Sequence, residues 1–507
     1  MKRLLLTLAL AIPFLLSAQD PNGAAQDSIL RLLQRPYTPN LNVEWGPDSL
    51  RAEMRFRELR YRLEDSQTVS ALYFSAKRKN AALIIFQHWG GGNRRSFLPE
   101  AETFVKAGYH CLLLDAPWLW PTADKAADPV RVYPDNILRS CRAIISFLDW
   151  GERVDSFDKQ RIYYVGHSYG ATLGGLILAA EPRIRAAVLM AGLPSLSVSM
   201  QEDPGGQWKG TKERMPATFD SAVQRLALME PEALIQRSDA RVFYQVAEKD
   251  QYVARKYSER YIRAAKPART GWYQTDHLFA DATAQRERFE FIRAQDSVAR
   301  HGYKAATDLL LAESKRLGTF DWRFWNRQEW RGRVEPARNA AASVRQTWRF
   351  QFPDSLYTET ASADGGGEVR REQLMLGASG GFRRIKGFDS TTLSLAEWQE
   401  ERQLFFMTWA AHVSPLLSAQ LHVSTNTAGT TVTAVQRPFL PVRLFFVEGK
   451  LQYIESRTSG ERNFRLTQGN HKPYRLARLP YFYELRLNGN PYRSIRIDEI
   501  IVPRPSR

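Results

Sequence analysis

Between about residue 55 and residue 300, short apolar runs alternate with longer stretches whose apolar residues recur at helical spacing. The short runs predict strands at 71–74, 82–86, 110–115, 162–165, 186–190, 242–246 and 271–274. Ile137, Cys141 and Ile144 lie on one stripe of a helix predicted over 136–150, and a run over 101–106 ends as a helix before Gly108. Because strands that alternate with helices are joined by crossover connections, we expect an α/β fold with a mostly parallel sheet.

From 193 to 240 this spacing loosens into PSLSVSMQEDPGGQWKGTKERMP, followed by the helical DSAVQRLALM. A segment inserted here would lie above the ends of the strands. We predict that it forms a lid or cap that selects substrates.

The pattern changes again toward the carboxyl end. Residues 303–339 are rich in arginine and tryptophan and predict a helical connector, whose aromatic rings either pack between domains or form a sugar-stacking or anion-binding surface. Beyond 340, alternating runs bounded by turns predict an antiparallel β-rich domain over 340–507; the runs are TWRFQF, EVRREQLML, QLFFMTW, TTVTAV, VRLFFVEGKLQYIES and YFYELRLNGNPYRSIRIDEIIV. In the last run, Tyr481 to Leu487 alternate toward one face, and Asn488-Gly489 is a hairpin turn signal.

The chain length supports this division. A chain of 507 residues is too long for one core, because single cores stop growing at about 250 to 300 residues. We therefore expect an α/β domain over 19–302 and the β-rich domain over 340–507.

The first residues have the pattern of a cleavable secretory signal peptide over 1–18. Lys2 and Arg3 precede an apolar run over 4–16, and small residues follow at Ser17 and Ala18. A membrane anchor that is retained is the alternative, although the run is short for a span. We expect a secreted or periplasmic protein.

The net charge and the number of cysteines limit which binding partners and cross-links are expected. A formal charge of +17 favours binding to an anionic envelope surface; the alternative is a generally basic surface without a dedicated partner. No nucleic acid is expected, because the charge is accompanied by an export signal and by no binding motif. The two cysteines, Cys111 and Cys141, form no disulfide framework, and we expect buried free thiols, with a mutual disulfide as the alternative.

Candidate chemistry begins at Gly166-His167-Ser168-Tyr169-Gly170. This G-x-S-x-G pentapeptide follows a predicted strand and precedes small residues that begin a helix. A strand that turns abruptly into a helix needs glycine on both sides of the serine, and it lifts the serine oxygen clear of the backbone. We predict that Ser168 is a nucleophile; the alternative is a serine that caps the helix.

A serine nucleophile needs a histidine base and a carboxylate that orients it, and both follow in the chain. The strand over 242–246 ends in a loop that holds Asp250, and the strand over 271–274 is followed by His277. Glu248 and Asp276 are the rival acids. Of the other histidines, His110 opens a strand, His167 points away from the serine at an elbow, His301 lies beyond the last helix, and His412, His422 and His471 belong to the second domain.

An oxyanion hole is the fourth part of such a site. Gln87-His88-Trp89-Gly90-Gly91-Gly92 follows the strand over 82–86, and glycines let backbone N–H groups approach a developing negative charge. We predict the N–H groups of Tyr169 and Gly90 as donors, with that of Trp89 as the alternative to Gly90. No spaced His, Cys or acidic cluster predicts a metal site, so neither metal nor cofactor is expected.

The motifs HWGGG, AGYHCLLLDAPW, VGHSYGA, AEKDQYV and DHLF together resemble the α/β-hydrolase superfamily, particularly its dienelactone hydrolase, acetyl xylan esterase and prolyl-oligopeptidase-like branch. The resemblance covers about residues 50–300. It implies Ser168 as nucleophile, Asp250 as acid and His277 as base. Trp89 and Ala247 stand where the family usually has glycine. The closing strands resemble the open barrels of periplasmic lipoprotein carriers, which implies a face that binds acyl chains.

These observations favour a serine hydrolase that cleaves carboxylic esters, with a small-molecule ester or an acylated glycan as substrate. A prolyl-oligopeptidase-like peptidase uses the same triad, but only a short segment precedes the hydrolase motifs, with no room for the propeller domain of those peptidases. A non-catalytic protein that binds lipid or glycan on a hydrolase scaffold is the third possibility.

Overall fold

The structure is a computed structural model. It describes residues 21–34, 41–51, 54–124, 126–154, 156–202, 206, 208–319, 327–336, 344–351, 355–363, 369–377, 380–385, 390–436, 439–457, 462–474 and 477–501. The predicted signal peptide lies outside these residues.

In the described residues, ten strands form the first sheet. They are β1 (Val43–Trp45), β2 (Ser49–Arg51), β3 (Met54–Arg62), β4 (Thr68–Phe74), β5 (Leu83–Gln87), β6 (His110–Leu114), β7 (Ile162–His167), β8 (Ile184–Met190), β9 (Arg241–Ala247) and β10 (Arg269–Tyr273). The order is β1-β3-β4-β6-β5-β7-β8-β9-β10, with β2 paired to β3. Strands β5 to β10 run parallel, whereas β1 to β4 pair in antiparallel fashion. The predicted mostly parallel sheet is confirmed.

Helices connect these strands and cover both faces of the sheet. They are α1 (Pro21–Gln34), α2 (Leu98–Lys106), α3 (Pro129–Arg153), α4 (Tyr169–Ala180), α5 (Leu196–Glu202), α6 (Lys209–Arg214), α7 (Pro216–Ala227), α8 (Pro231–Ile235), α9 (Arg255–Ala265) and α10 (Ala282–Leu317). Side chains of α3 and α4 pack on one face, and those of α2 and the first half of α10 pack on the other. Strands β5 to β8 are buried along their whole length, as expected for strands covered on both faces.

The predicted cap segment, 193–240, holds the four helices α5 to α8. Glu230 ties its two ends together: its carboxylate accepts the backbone N–H of Leu196 at 2.8 Å and that of Ser197 at 3.3 Å. Burial raises the pKa of Glu230. The buried residues of this segment, among them Phe219, Leu226 and Leu234, pack in the same core as the side chains of α3 and α4.

In the part of the chain that is described, the second sheet has thirteen strands. They are β11 (Arg327–Pro336), β12 (Val344–Gln351), β13 (Ser355–Ala363), β14 (Val369–Leu376), β15 (Gly381–Ile385), β16 (Thr391–Thr392), β17 (Gln420–Asn426), β18 (Gly429–Val435), β19 (Val442–Val447), β20 (Lys450–Arg457), β21 (Asn463–Tyr474), β22 (Ala477–Leu487) and β23 (Asn490–Ile501). All its pairings are antiparallel, in the order β16-β15-β14-β13-β12-β11-β23-β22-β21-β20-β19-β18-β17. Asn488 and Gly489 both have positive φ, 49° and 81°, at the hairpin turn between β22 and β23. The separate antiparallel β-rich domain is confirmed.

A helix of this domain was missed. The run QLFFMTW, predicted as a strand, lies within α11 (Leu395–Ala410). Ser394 and Glu397 form a capping box that begins this helix. Phe405, Phe406 and Trp409 of α11 pack in the core against strands of the second sheet. The helix therefore covers part of the core face of the second sheet.

The predicted helical connector over 303–339 is only partly helical. Helix α10 runs without a break through residue 302 and ends where Gly318 adopts φ 70°. Residues Arg327–Pro336 form β11, so the prediction is wrong there. Alternate residues Gln328 and Trp330 are buried on this strand, which is a period of two and not of 3.6. Trp330 packs in the second core, stacked on Tyr483 at 5.4 Å.

Both cysteines are free and buried, as predicted. Burial raises the pKa of each thiol. Within the described residues, no helix is long and apolar enough to cross a membrane.

Candidate active site

Ser168 lies at the turn between β7 and α4. Its backbone adopts φ 52° and ψ −104°, a conformation that costs a residue with a side chain about 1 to 3 kcal/mol. A Cβ on Gly166 would lie 2.4 Å from the carbonyl oxygen of Gly170, and a Cβ on Gly170 would lie 2.1 Å from that of Gln87. The turn therefore requires both glycines, and it places Ser168 at the carboxyl edge of the sheet, at the amino end of α4.

Asp250 and His277 come together in the loops that follow β9 and β10. One carboxylate oxygen of Asp250, Oδ2, lies 2.7 Å from Nδ1 of His277. The other, Oδ1, accepts the backbone N–H groups of Tyr252 and Val253, each at 2.8 Å. Because a carboxylate only accepts, Nδ1 carries the proton and Nε2 of the neutral ring is left as the basic nitrogen. Both side chains are buried, with 7% of His277 and 2% of Asp250 exposed.

The two rival acids have other partners. The carboxylate of Glu248 accepts the side-chain amide of Gln274. That of Asp276 accepts the backbone N–H of Leu278 at 3.0 Å. Asp250 is thus the acid that the structure pairs with His277.

His167 connects the serine turn to the loop of His277. Its Nε2 lies 2.6 Å from the backbone carbonyl oxygen of His277, so Nε2 carries a proton and donates it. Its ring lies between the ring of Trp89, 5.2 Å away, and that of His277, 5.1 Å away. Burial lowers the pKa of His167 to about 3, with a smaller contribution from the nearby His277. This neutral ring therefore holds Ser168, the loop of Trp89 and the loop of His277 in one packed unit.

His88 fixes the glycine-rich loop after β5. The backbone N–H of Ala116 donates to its Nε2 at 3.1 Å, so Nδ1 carries the proton and donates to the carbonyl oxygen of Trp89 at 2.5 Å. Burial lowers the pKa of His88 and keeps this tautomer neutral. In a trans peptide the N–H points opposite to the preceding carbonyl, so the N–H of Gly90 is turned away from His88. Because β5 and β7 are neighbours, this loop lies beside the serine turn.

Aromatic rings surround the site. Tyr252, 57% exposed, packs edge-on against His277 at 4.9 Å between ring centroids. Trp118 packs edge-on against Tyr169 at 4.8 Å, and Trp89 lies on His167. The hydroxyl of Tyr169 bonds to that of Ser140 at 2.7 Å inside the core. Among the described residues, no group of three or more His, Cys, Asp and Glu side chains converges as a metal-binding cluster would.

The sequence predicted Ser168, Asp250 and His277 from their places at strand ends, and the structure brings Asp250 and His277 into contact. The sequence analysis did not predict that His88 and His167 anchor the loops around these residues. A histidine directly before Trp89 and another directly before Ser168 were the available signals, but their partners lie in distant parts of the chain.

The first domain is similar to known proteins. The α/β hydrolase fold family matches residues 82–290. An acetyl xylan esterase from Paenibacillus sp. R4 is similar in structure, with 15% identity and a TM-score of 0.46 over 54% of this chain and 95% of that chain. Acetyl xylan esterase 1 from Thermoanaerobacterium sp. JW/SL YS485 has 14% identity and a TM-score of 0.45 over 53% of this chain and 93% of its own. The acylaminoacyl peptidase of Pyrococcus horikoshii has 14% identity and a TM-score of 0.39, over 48% of this chain and 42% of its own. No curated protein matches the chain.

The match to the family begins just before β5 and ends within α10, and so contains the serine turn, the loop of Asp250 and His277. The matched residues include strands β5 to β10, which are the parallel strands of the first sheet. Over the matched residues 82–290, the first domain has the α/β-hydrolase fold.

Proposed function

We propose that this protein is a serine hydrolase that cleaves carboxylic esters through an acyl-enzyme, with Ser168 as nucleophile, His277 as base and Asp250 as the acid that orients it. The observation that carries the proposal is the buried hydrogen bond between Asp250 and His277 beside a strained serine turn. A serine hydroxyl becomes a strong nucleophile only when an adjacent base takes its proton.

The reaction follows from the roles of these groups. Nε2 of His277 takes the proton of Ser168 as the serine oxygen attacks the ester carbonyl carbon. The N–H groups of Gly90 and Tyr169 stabilise the negative oxygen of the tetrahedral intermediate, and one such donor typically lowers the barrier by about 3 kcal/mol. His277 then protonates the leaving alcohol, and a water molecule activated by the same histidine releases the acid from Ser168.

The substrate that we propose is a small-molecule ester or an acylated glycan. Trp118, Tyr252 and Trp89 give the site an aromatic rim, on which apolar groups or sugar rings can pack. No metal or cofactor takes part in this mechanism.

We also propose that residues 1–18 are a signal peptide and that the mature protein is secreted or periplasmic. Its amino terminus, read by sequencing from the source cells, should then be Gln19. An amino terminus that still includes the apolar run would contradict export by cleavage.

Ester hydrolysis tests the proposal. Wild type should hydrolyse p-nitrophenyl acetate, butyrate or octanoate, and Ser168→Ala should lose at least about a thousandfold in rate. Ser75→Ala, which changes an exposed serine, is the matched control and should keep full activity. Faster cleavage of a dipeptide p-nitroanilide than of any ester would favour a peptidase instead. If well-folded wild type cleaves neither class, the hydrolase proposal fails.

A further inference from the structure

A groove lies between the two domains, away from the candidate active site. It has a cavity volume of about 1030 Å³. The cavity includes Ile184 and Arg241, which begin β8 and β9, whereas Ser168 and Asp250 follow the carboxyl ends of β7 and β9. The groove is therefore at the opposite edge of the first sheet and takes no part in the chemistry proposed above.

One wall of the groove is a face of the second sheet that carries polar and aromatic side chains. The strand registers set two rows of cross-strand neighbours over β17 to β20. All of them line the cavity: His422, Thr433, Arg443 and Glu455 in one row, and Ser424, Thr431, Phe445 and Tyr453 in the other. The residues between them, Val432, Leu444 and Ile454, are buried in the core on the opposite face. Such a face is built to contact a polar ligand, because hydroxyl groups alternate with the core residues along each strand.

The facing wall carries a buried cation. Arg185 is 8% exposed, and its guanidinium donates to the carbonyl oxygen of Gln160 at 2.9 Å, to its side-chain oxygen at 3.3 Å and to the carbonyl oxygen of Leu421. All these acceptors are neutral, and no carboxylate of the described residues forms an ion pair with Arg185. Burial lowers the pKa of Arg185 to about 10. One opposite charge that acts on Arg185 from a distance, that of Asp158, is already bonded to Arg161 at 2.6 Å. A buried charge without a counter-charge of its own is unfavourable, and an anionic ligand would offset that cost.

The balance of charge around the groove is positive. Its two acids are already paired: Asp239 with Arg443 at 2.7 Å, and Glu455 with Arg465 at 2.5 Å. Arg241, exposed at the start of β9, adds a second cation to that of Arg185.

The groove is also elongated. A second cavity of about 380 Å³ continues from it, shares Asp239, Ala240 and Arg241 with it, and extends to Lys266. An extended molecule fits this shape better than a single small ion does.

We propose that this groove binds an oligosaccharide that carries carboxylate groups. Its carboxylates would pair with Arg185 and Arg241, as guanidinium groups bind planar carboxylates. Its hydroxyls would exchange hydrogen bonds with Thr431 and Thr433, and the apolar faces of its rings would contact the aromatic residues of the same face. An acyl chain is the poorer fit, because hydroxyl and charged groups interrupt the apolar lining.

Calorimetric titration of the full chain tests this binding without reference to ester hydrolysis. Wild type should bind tetragalacturonate and should bind cellotetraose, its uncharged counterpart, at least about tenfold more weakly. Arg241→Gln should weaken tetragalacturonate binding about tenfold or more, because it removes a charge-assisted hydrogen bond. Thr433→Val should weaken it several-fold, since it removes one hydroxyl at nearly constant volume. The matched control is Arg60→Gln, an exposed arginine on β3 at the far end of the first sheet, and it should bind as wild type does.

Three results would overturn the proposal. One is the absence of heat from wild type with tetragalacturonate. The second is equal affinity for tetragalacturonate and cellotetraose, or for tetragalacturonate and inorganic phosphate, because the groove would then not recognise an acidic sugar. The third is unchanged binding in Arg241→Gln and Thr433→Val when both melt as wild type does.

Discussion

At the scale of single residues, Asp250 is the side chain on which the proposed base depends. Asp250→Asn should lower kcat by roughly 10³- to 10⁴-fold, because an amide at this position can donate to His277 and so favour the wrong tautomer. Steady-state kinetics with a p-nitrophenyl ester would measure this loss.

The rival acids are the matched controls for that substitution. Glu248→Gln and Asp276→Asn change neighbouring carboxylates whose hydrogen bonds lead to Gln274 and to the N–H of Leu278. Both variants should keep kcat within a few-fold of wild type. A collapse of kcat in either one, with Asp250→Asn still active, would show that the acid has been assigned to the wrong residue.

His167 should make the protein sensitive to acid. Burial lowers its pKa to about 3 in the folded state, against about 6.5 in the unfolded chain. Between these values the unfolded chain binds the additional proton, so this contribution to stability is complete above about pH 6.5 and declines as the pH falls toward 3. At pH 4.5 the loss from this one group is roughly 2 to 3 kcal/mol.

His167→Gln tests that contribution, because glutamine keeps an N–H donor near the carbonyl of His277 and does not titrate. The other buried histidines are present in both proteins, so the difference isolates His167, whose titratable or charged neighbours are Asp250, His277 and Arg288. The free energy of unfolding, measured from pH 7.5 to pH 4.5, should fall less in the variant than in wild type. Parallel curves would contradict the assignment.

A site residue could be predicted where the signal for it is local, and could not where its partner lies far away along the chain. Ser168 directly follows a strand, Asp250 and His277 lie in the loops just after strands, and parallel strands bring such positions to one edge of the sheet. The prediction that His167 points away from the serine said nothing of its bond to the carbonyl of His277. That bond depends on the path of the loop after β10, which no pattern near His167 encodes.

At the scale of elements, the serine turn depends on the space that its glycines leave. Gly170→Ala would place a methyl group 2.1 Å from the carbonyl oxygen of Gln87, a contact with the backbone of β5 that no side-chain rotation can relieve. The free energy of unfolding should fall by roughly 1 to 3 kcal/mol or more, as seen when packed sites are overfilled, and activity should fall with it.

Gly90→Ala is the matched control for this substitution. A Cβ at Gly90 meets nothing within 4 Å, and the substitution keeps the N–H that we propose as an oxyanion donor. Urea denaturation should show this variant close to wild type in stability. If both alanines are tolerated equally, the steric account of the turn is wrong.

Two elements of the second domain show where sequence patterns were insufficient. The apolar residues of QLFFMTW are adjacent because α11 is buried among strands, so they resemble a strand. The capping box of Ser394 and Glu397 was the local signal for a helix. In β11 the exposed Arg331 and Arg333 alternate with buried residues such as Trp330, and this period of two decides the element.

At the scale of the whole molecule, the two domains are joined by buried hydrogen bonds. The side chain of Gln160 donates to the carbonyl oxygen of Ala419 and accepts the backbone N–H of Leu421, each at 2.8 Å. The side chain of Gln420 donates to the carbonyl oxygen of Arg183, also at 2.8 Å. These bonds attach β17 to the first domain, and the long helix α10 links the two covalently.

Gln160→Ala should weaken this interface. It leaves two buried backbone groups without their partners, at about 1 to 3 kcal/mol each. Differential scanning calorimetry should show a lower first transition and a wider separation between the unfolding of the two domains. Gln452→Ala, which removes an exposed side chain that bonds within its own hairpin, should leave the thermogram unchanged. An identical thermogram for Gln160→Ala would contradict a stabilising interface.

The two-domain division could be predicted because a switch from helical to alternating periodicity is local information. The interface could not, because Gln160, Gln420 and Arg185 are polar residues whose buried partners lie more than two hundred positions away. The groove between the two domains could not be predicted from the sequence for the same reason.

The central claim is that Ser168 is the nucleophile of an acyl-enzyme, and covalent labelling tests it most directly. Wild type, treated with a fluorophosphonate and digested, should show the added mass on the peptide that contains Ser168. Ser168→Ala, folded as judged by circular dichroism, should show none. Labelling that persists in Ser168→Ala, or well-folded wild type that takes up no label, would contradict the account.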